Sequence, residues 1–192
     1  MNCGIVVVGS SWGGVTALAR FLTGLPADLS TPVVIAQHRR AVPSMLARIL
    51  ARQTTWTVRE AEDKERIAAS TVYLAPPGYH LLVEQPGHLA LSTEGPVRFA
   101  RPSIDVLFES AAAAYRADAV GVVLTGTNDD GAAGLAAIVA RGGQAVVQDP
   151  ASAERPAMPL AALATGIPAT VLALDDIGPF IGDMCRPEAI PA

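Results

Sequence analysis

An open α/β fold is what this sequence predicts: a mostly parallel, doubly wound, Rossmann-like sheet with helices on both faces. Two observations carry that expectation. Five short β-branched, apolar runs lack polar alternation, as strands buried on both faces of a parallel sheet do. Helical stretches separate them, and a repeated strand–helix rhythm builds a layered α/β domain. The chain has 192 residues, 51% of them hydrophobic. That suits a single domain spanning 1–192 and burying roughly 70% of its unfolded surface.

The expected strands, in order, are Ile5–Val8, Val33–Gln37, Val120–Thr125, Gln144–Gln148 and Thr170–Leu174. The expected helices are Val15–Leu25, Pro43–Gln53, Ser103–Tyr115, Ala132–Arg141 and Pro156–Ala164. Pro43 and Pro156 suit a first helical turn, and Gly142-Gly143 marks a helix stop. Residues 57 to 99 break the rhythm. Val72–Ala75, His80–Glu84 and His88–Ser92 read as short strands joined by Pro76-Pro77-Gly78 and Pro86-Gly87. They form a small β-hairpin or meander insertion near one sheet edge.

A net charge of −4 argues against nucleic-acid binding, which favours a basic stripe. No stretch reaches the roughly 18 apolar residues of a membrane helix, and no secretory leader is evident, so no membrane insertion is expected. Cys3 and Cys185 show no C-x-x-C spacing and read as reduced thiols of a cytoplasmic protein.

Chemistry in open α/β sheets gathers beyond the carboxyl ends of the strands. There the sequence offers Gly9-Ser10-Ser11-Trp12-Gly13-Gly14, then His38, then Gly126-Thr127-Asn128-Asp129-Asp130-Gly131. A serine hydroxyl needs a neighbouring imidazole to take its proton, and the imidazole needs a carboxylate to fix its tautomer. Glycines and a helix N-terminus beside the serine suit a developing oxyanion. Singly, each residue has an ordinary role: Ser11 as an N-cap, His38 as a structural histidine, the aspartates as a turn. Their convergence on one rim favours catalysis. His80 and His88 read as exposed or loop-bracing, Asp105 as a helix-dipole partner, and Trp56 as core cover.

A dinucleotide site fits poorly. Ser11 stands where G-x-G-x-x-G needs its central glycine, and the second strand ends in Gln37-His38-Arg39-Arg40 instead of an acid. No Gly-Lys-Ser/Thr follows, so a Walker A loop is excluded. The order Ser11, His38, Asp130 also differs from that of α/β-hydrolases.

With these residues the chain resembles the catalytic domain of the chemotaxis protein-glutamate methylesterase (CheB) family. The resemblance runs from residue 5 to about 182. It rests on the serine turn, Gln37-His38, "VYLAPPGYHLLVE", "RPSIDVLFESAAAAY", "GVVLTGTNDDGAAGL" and "QDPASAERPAMPLAAL". It implies Ser11 as nucleophile, His38 as base and Asp130 as its partner, with Ser10 and Asp129 as off-by-one rivals. Trp12, Gly13 and Thr127 would support the oxyanion loops. It further implies hydrolysis of glutamate γ-methyl esters on chemoreceptors or related signalling proteins, deamidation of receptor glutamines, and no metal or organic cofactor. Three departures stand out: Trp12 after the nucleophile, Arg39-Arg40 after the histidine, and Thr127-Asn128 in the aspartate loop. Arg39 and Arg40 are candidates for meeting an acidic surface. The resemblance lacks the usual N-terminal phospho-receiver domain, so that control is expected to be missing or supplied by a separate receiver-domain regulator. The chain is expected to be a stand-alone member or, as the alternative, a fragment. The alternatives are a catalytically impaired regulatory module on this fold and, further off, a nucleotide-binding protein.

Overall fold

The computed structural model describes residues 3–42, 44–85 and 87–186. Seven strands form one sheet: β1 (Ile5–Ser10), β2 (Val33–Gln37), β3 (Thr57–Glu60), β4 (Thr71–Leu74), β7 (Ala119–Val123), β8 (Gln144–Gln148) and β9 (Thr170–Leu172). Their order is β3-β4-β2-β1-β7-β8-β9, and every pairing is parallel. The remaining strands, β5 (His80–Glu84) and β6 (His88–Ser92), form a separate antiparallel hairpin.

β1 shows why such runs need cover on both faces. Its Ile5 and Val7 enter one core, while Val6 and Val8 enter the other. The first core is closed by α3 (Ile104–Tyr115), α4 (Ala132–Ala140) and α5 (Ala157–Ala164), with the hairpin alongside. The second is closed by α1 (Gly14–Gly24), α2 (Leu46–Ala51) and α6 (Leu174–Cys185). Trp56 lies in this second core with its indole N–H donated to the Pro26 carbonyl at 3.2 Å. No helix among the described residues is long and apolar enough to cross a membrane.

The expected α/β architecture holds, with three corrections. The segment near Val72–Ala75 is not part of a meander: β4 sits inside the main sheet, between β2 and β3. Proximity in sequence suggested local pairing, yet all four β4 side chains are buried and demand neighbours on both sides. Its partner β3, Thr-Val-Arg-Glu, is a half-exposed edge strand with little apolar signal. The last expected strand stops at Leu172, and α6 follows, hidden in sequence by Gly178, Pro179 and Gly182. The glycines bring the helix against its neighbours. A Cβ on Gly178 would come within 2.6 Å of the Phe21 carbonyl oxygen of α1.

The third correction concerns the cysteines, which form a disulfide, with Cα atoms 5.0 Å apart. In a parallel sheet β1 starts at the amino edge. The helix α6 leaves the carboxyl edge after β9 and runs back to the amino edge, so Cys185 arrives beside Cys3. Pro43, expected in a first helical turn, and Pro86, expected in a turn, lie outside the described residues.

Candidate active site

All seven strands point one way, so the turns after β1, β2 and β7 share one rim. The turn after β1 is tied down by its backbone. Ser11 N–H donates to the Thr125 carbonyl beyond β7 (2.9 Å), and the Gly14 N–H donates to the Ser11 carbonyl (2.9 Å). Gly13 adopts φ +78°, where L side chains are strained, and a Cβ there would also strike Glu154. Gly13, not Ser11, occupies the cap position of α1, so the serine hydroxyl is not spent on capping.

Ser10 and Ser11 have opposite fates. The Ser10 hydroxyl is fully buried and donates to Oε1 of Gln37. Gln37 then uses its amide N–H₂ to hold the carbonyls of Ser11 (2.8 Å) and His38 (3.0 Å). One side chain thereby locks the ends of β1 and β2 together. The Ser11 hydroxyl lies 3.2 Å from Nδ1 of His38.

On its far side His38 places Nε2 at 2.7 Å from Oδ2 of Asp130, whose side chain has no exposed surface. The same carboxylate accepts from the N–H groups of Ile104 (2.8 Å) and Asp105 (3.0 Å), the first residues of α3, and from the Ser103 hydroxyl (2.9 Å). Burial by itself would raise this carboxyl. The His38 hydrogen bond and the two backbone donors outweigh it and hold Asp130 below the ordinary carboxylate range. An ionised carboxylate only accepts, so the imidazole proton is fixed on Nε2 and Nδ1 is left as a base toward Ser11. The ring sense is the reverse of that in chymotrypsin-type proteases, where Nε2 faces the serine.

Asp129, the rival carboxylate, is largely exposed and pairs with Arg98 at 2.6 Å. Asp105 is buried, and accepts from the N–H groups of Gly131 (2.9 Å) and Gly134 (2.7 Å) and from Nε of Arg98 (2.8 Å). Its carboxyl is pushed up, chiefly by burial and further by the nearby Asp130 charge. Its place in the first turn of α3 is as expected; its capping of α4 was not legible. His80 braces the same region, accepting from the Ser103 N–H at Nδ1 (3.1 Å) and meeting the Gly95 carbonyl at Nε2 (3.0 Å). His88 opens β6, remote from the three-residue cluster in the topology.

Among the described residues the N–H groups of Trp12, Gly13 and Thr127 have no intramolecular acceptor. Trp12 is 60% exposed. Its Nε1 donates to Oε1 of Glu154 (3.1 Å), and the Arg155 guanidinium lies 5.7 Å from its centroid. A cleft of about 580 Å³ opens at His38 and is bounded also by Arg40, Phe99, Arg101 and Asn128. Arg39, expected to meet a partner, is instead committed internally: it bonds to Ser44 (2.7 Å), Glu60 (2.9 Å) and the Ala75 carbonyl. Gln37 carried a sequence signal through its place beside His38. Arg98 and Glu154 carried none, because their partners lie 7 to 142 positions away.

Known proteins resemble this chain over nearly all of its length. The sequence profile of the CheB methylesterase family matches residues 6–181. A Leptospira interrogans protein, provisionally named protein-glutamate methylesterase/protein-glutamine glutaminase, is 44% identical over 92% of this chain and 92% of its own length. The Caulobacter vibrioides protein-glutamate methylesterase/protein-glutamine glutaminase 2 is 42% identical over 96% of this chain, which spans 54% of that protein. The crystal structure of the Thermotoga maritima CheB methylesterase catalytic domain superposes with a TM-score of 0.89 at 30% identity, covering 96% of this chain and all of that one. On this profile match, these identities and this fold, the chain belongs to the CheB methylesterase family.

Proposed function

We propose that this protein is a serine hydrolase that removes methyl groups from glutamate γ-methyl esters of chemoreceptors, and that it also deamidates receptor glutamines. The observation that carries the reading is the continuous line from Ser11 Oγ through His38 to the buried, ionised Asp130, at 3.2 and 2.7 Å. The relatives named for both activities support the choice of substrate.

In this reading Ser11 Oγ attacks the ester carbonyl carbon while its proton passes to Nδ1 of His38. The resulting imidazolium is stabilised by the Asp130 carboxylate. The tetrahedral oxyanion is met by uncommitted N–H groups of the Ser11 and Asp130 loops, with Trp12, Gly13 and Thr127 as the donors proposed. As the carbonyl re-forms, the C–O bond to methoxide breaks and His38 returns the proton, releasing methanol. A water then gives its proton to His38 and attacks the Ser11 acyl ester. Collapse frees the glutamate carboxylate and restores the Ser11 hydroxyl. The sum is ester plus water giving acid plus methanol; with a glutamine side chain the leaving molecule is ammonia.

The test is methanol release from a methylated chemoreceptor fragment by the wild type, Ser11→Ala and Ser10→Ala. Nucleophile loss in a serine hydrolase costs on the order of 10⁶ in kcat, so Ser11→Ala should be inert. Ser10→Ala, which loses only a buried bond to Gln37, should keep turnover within about tenfold. Equal activity of Ser11→Ala and the wild type, or no methanol from the wild type, overturns the assignment.

A further inference from the structure

The segment just before α3 holds an uncommon feature at the edge of the cleft. Val97 and Ala100 exchange both backbone hydrogen bonds, at 3.1 and 2.9 Å, and enclose a two-residue tip. Both tip residues adopt left-handed backbone, Arg98 at φ +47° and Phe99 at φ +61°. Tight hairpin tips of this kind favour Asn and Gly, and neither an arginine nor a phenylalanine relieves the strain. Strained turns persist where the surroundings impose them. Here Arg98 imposes it, bonding through Nε to Asp105 and through Nη1 to Asp129, one on each side of the Asp130 site.

The consequence is the presentation of Phe99. The residue is as exposed as in an extended chain, the most exposed of the large apolar residues among those described. It bounds the same cleft that reaches His38. Arg40 and Arg101 bound that cleft too, and among the described residues neither pairs with a carboxylate. The cleft therefore offers, beside His38, one apolar anchor and two positive charges without a carboxylate partner among the described residues. Nη1 of Arg101 is held by the Thr93 and Glu94 carbonyls (2.8 Å each), which leaves its other guanidinium nitrogens for a carboxylate. Exposed aromatic residues flanked by arginine are the usual composition of interaction hot spots.

We infer that the Val97–Ala100 turn is a substrate-docking tip, in which Phe99 anchors an apolar side chain of the protein substrate while Arg40 and Arg101 receive its carboxylates. The inference rests on the esterase reading above, and its occupant is the acidic polypeptide segment that carries the ester. Charge complementarity supports that choice, because each ester hydrolysed leaves a further carboxylate on the substrate. In this reading a small ester needs only the Ser11 site and not the tip.

The experiment follows hydrolysis of p-nitrophenyl acetate and its competitive inhibition by a methylated chemoreceptor fragment, in the wild type, Phe99→Ala and Phe99→Tyr. Expected is unchanged p-nitrophenyl acetate turnover in both variants, with the fragment's inhibition constant raised about tenfold in Phe99→Ala and retained in Phe99→Tyr. Arg40→Ser combined with Arg101→Ser should weaken inhibition further at low salt and less at high salt. An unchanged inhibition constant in Phe99→Ala overturns the docking role and leaves the esterase reading standing. So does slowed p-nitrophenyl acetate turnover in Phe99→Ala, which marks a structural role. Loss of self-association in sedimentation, with inhibition intact, makes the tip a contact between copies and likewise overturns it. Absence of any Ser11-dependent hydrolysis removes the esterase reading, and the docking inference with it.

Discussion

Asp105 and Asp130 cap each other's helices. Asp130, just before α4, accepts from the first two N–H groups of α3, while Asp105, in the first turn of α3, accepts from the Gly131 and Gly134 N–H groups that open α4. Each carboxylate lies at the positive end of the other's helix dipole. The exchange fixes the residue that orients His38 without using any side chain of the cleft. The two carboxyls are displaced in opposite senses: Asp105 is pushed up, chiefly by burial and further by the Asp130 charge, whereas Asp130 is held down against its burial by the His38 bond and the backbone donors of α3.

Replacing Asp105 by alanine leaves two buried N–H groups of α4 without acceptors and frees Arg98 from its inner partner. A loss of about 2–3 kcal/mol in urea unfolding is expected. Activity should fall as well, because Asp130 loses its framework. Asp105→Asn, which keeps an acceptor for Gly131 and Gly134, should lose less stability. Equal losses in the two variants would contradict the capping role.

The Asp130 carboxyl is held below its unfolded value. Its contribution to stability is therefore complete above the ordinary carboxylate range and is lost as pH falls through its lowered folded value. Asp130→Asn should be about 2 kcal/mol less stable than the wild type at pH 7, with the gap closing below about pH 4. Its kcat should drop about 10⁴-fold, since an amide no longer fixes the imidazole proton on Nε2. Asp105, displaced upward, acts in the opposite sense: ionising it costs stability as pH rises through its raised value. Urea titrations across pH 3 to 7 and steady-state kinetics check both, and a gap that widens in acid refutes the assignment.

The disulfide joins residues separated by 182 positions. Closing so long a loop restricts the unfolded chain, and about 3 kcal/mol should be lost on reduction or in Cys3→Ser. Calorimetry with and without dithiothreitol measures it. The cysteines lie at the amino edge, opposite the serine rim, so Ser11-dependent turnover at low temperature should be indifferent to the reductant.

The sequence by itself determined five of the seven strands of the central sheet and singled out three candidate residues for its rim. Buried parallel strands carry continuous apolar runs, and parallel strands share a carboxyl edge, so the turns holding Ser11, His38 and Asp130 had to fall on one side. It also favoured Ser11 over Ser10, through the family's pattern, before any burial was known. Tertiary structure alone decided what lay between distant segments. The edge strand β3 has too little apolar surface to signal itself, and α6 is masked by the glycines that let it pack. The Cys3–Cys185 bond needed the return of α6 to the amino edge. Arg39 and Arg40 are neighbours with the same charge and both line the cleft, yet the first is bonded to Glu60 and Ala75 while the second has no carboxylate partner among the described residues. Local pattern reports which face a residue must bury; it does not report which partner, dozens of positions away, the packed sheet will bring to it.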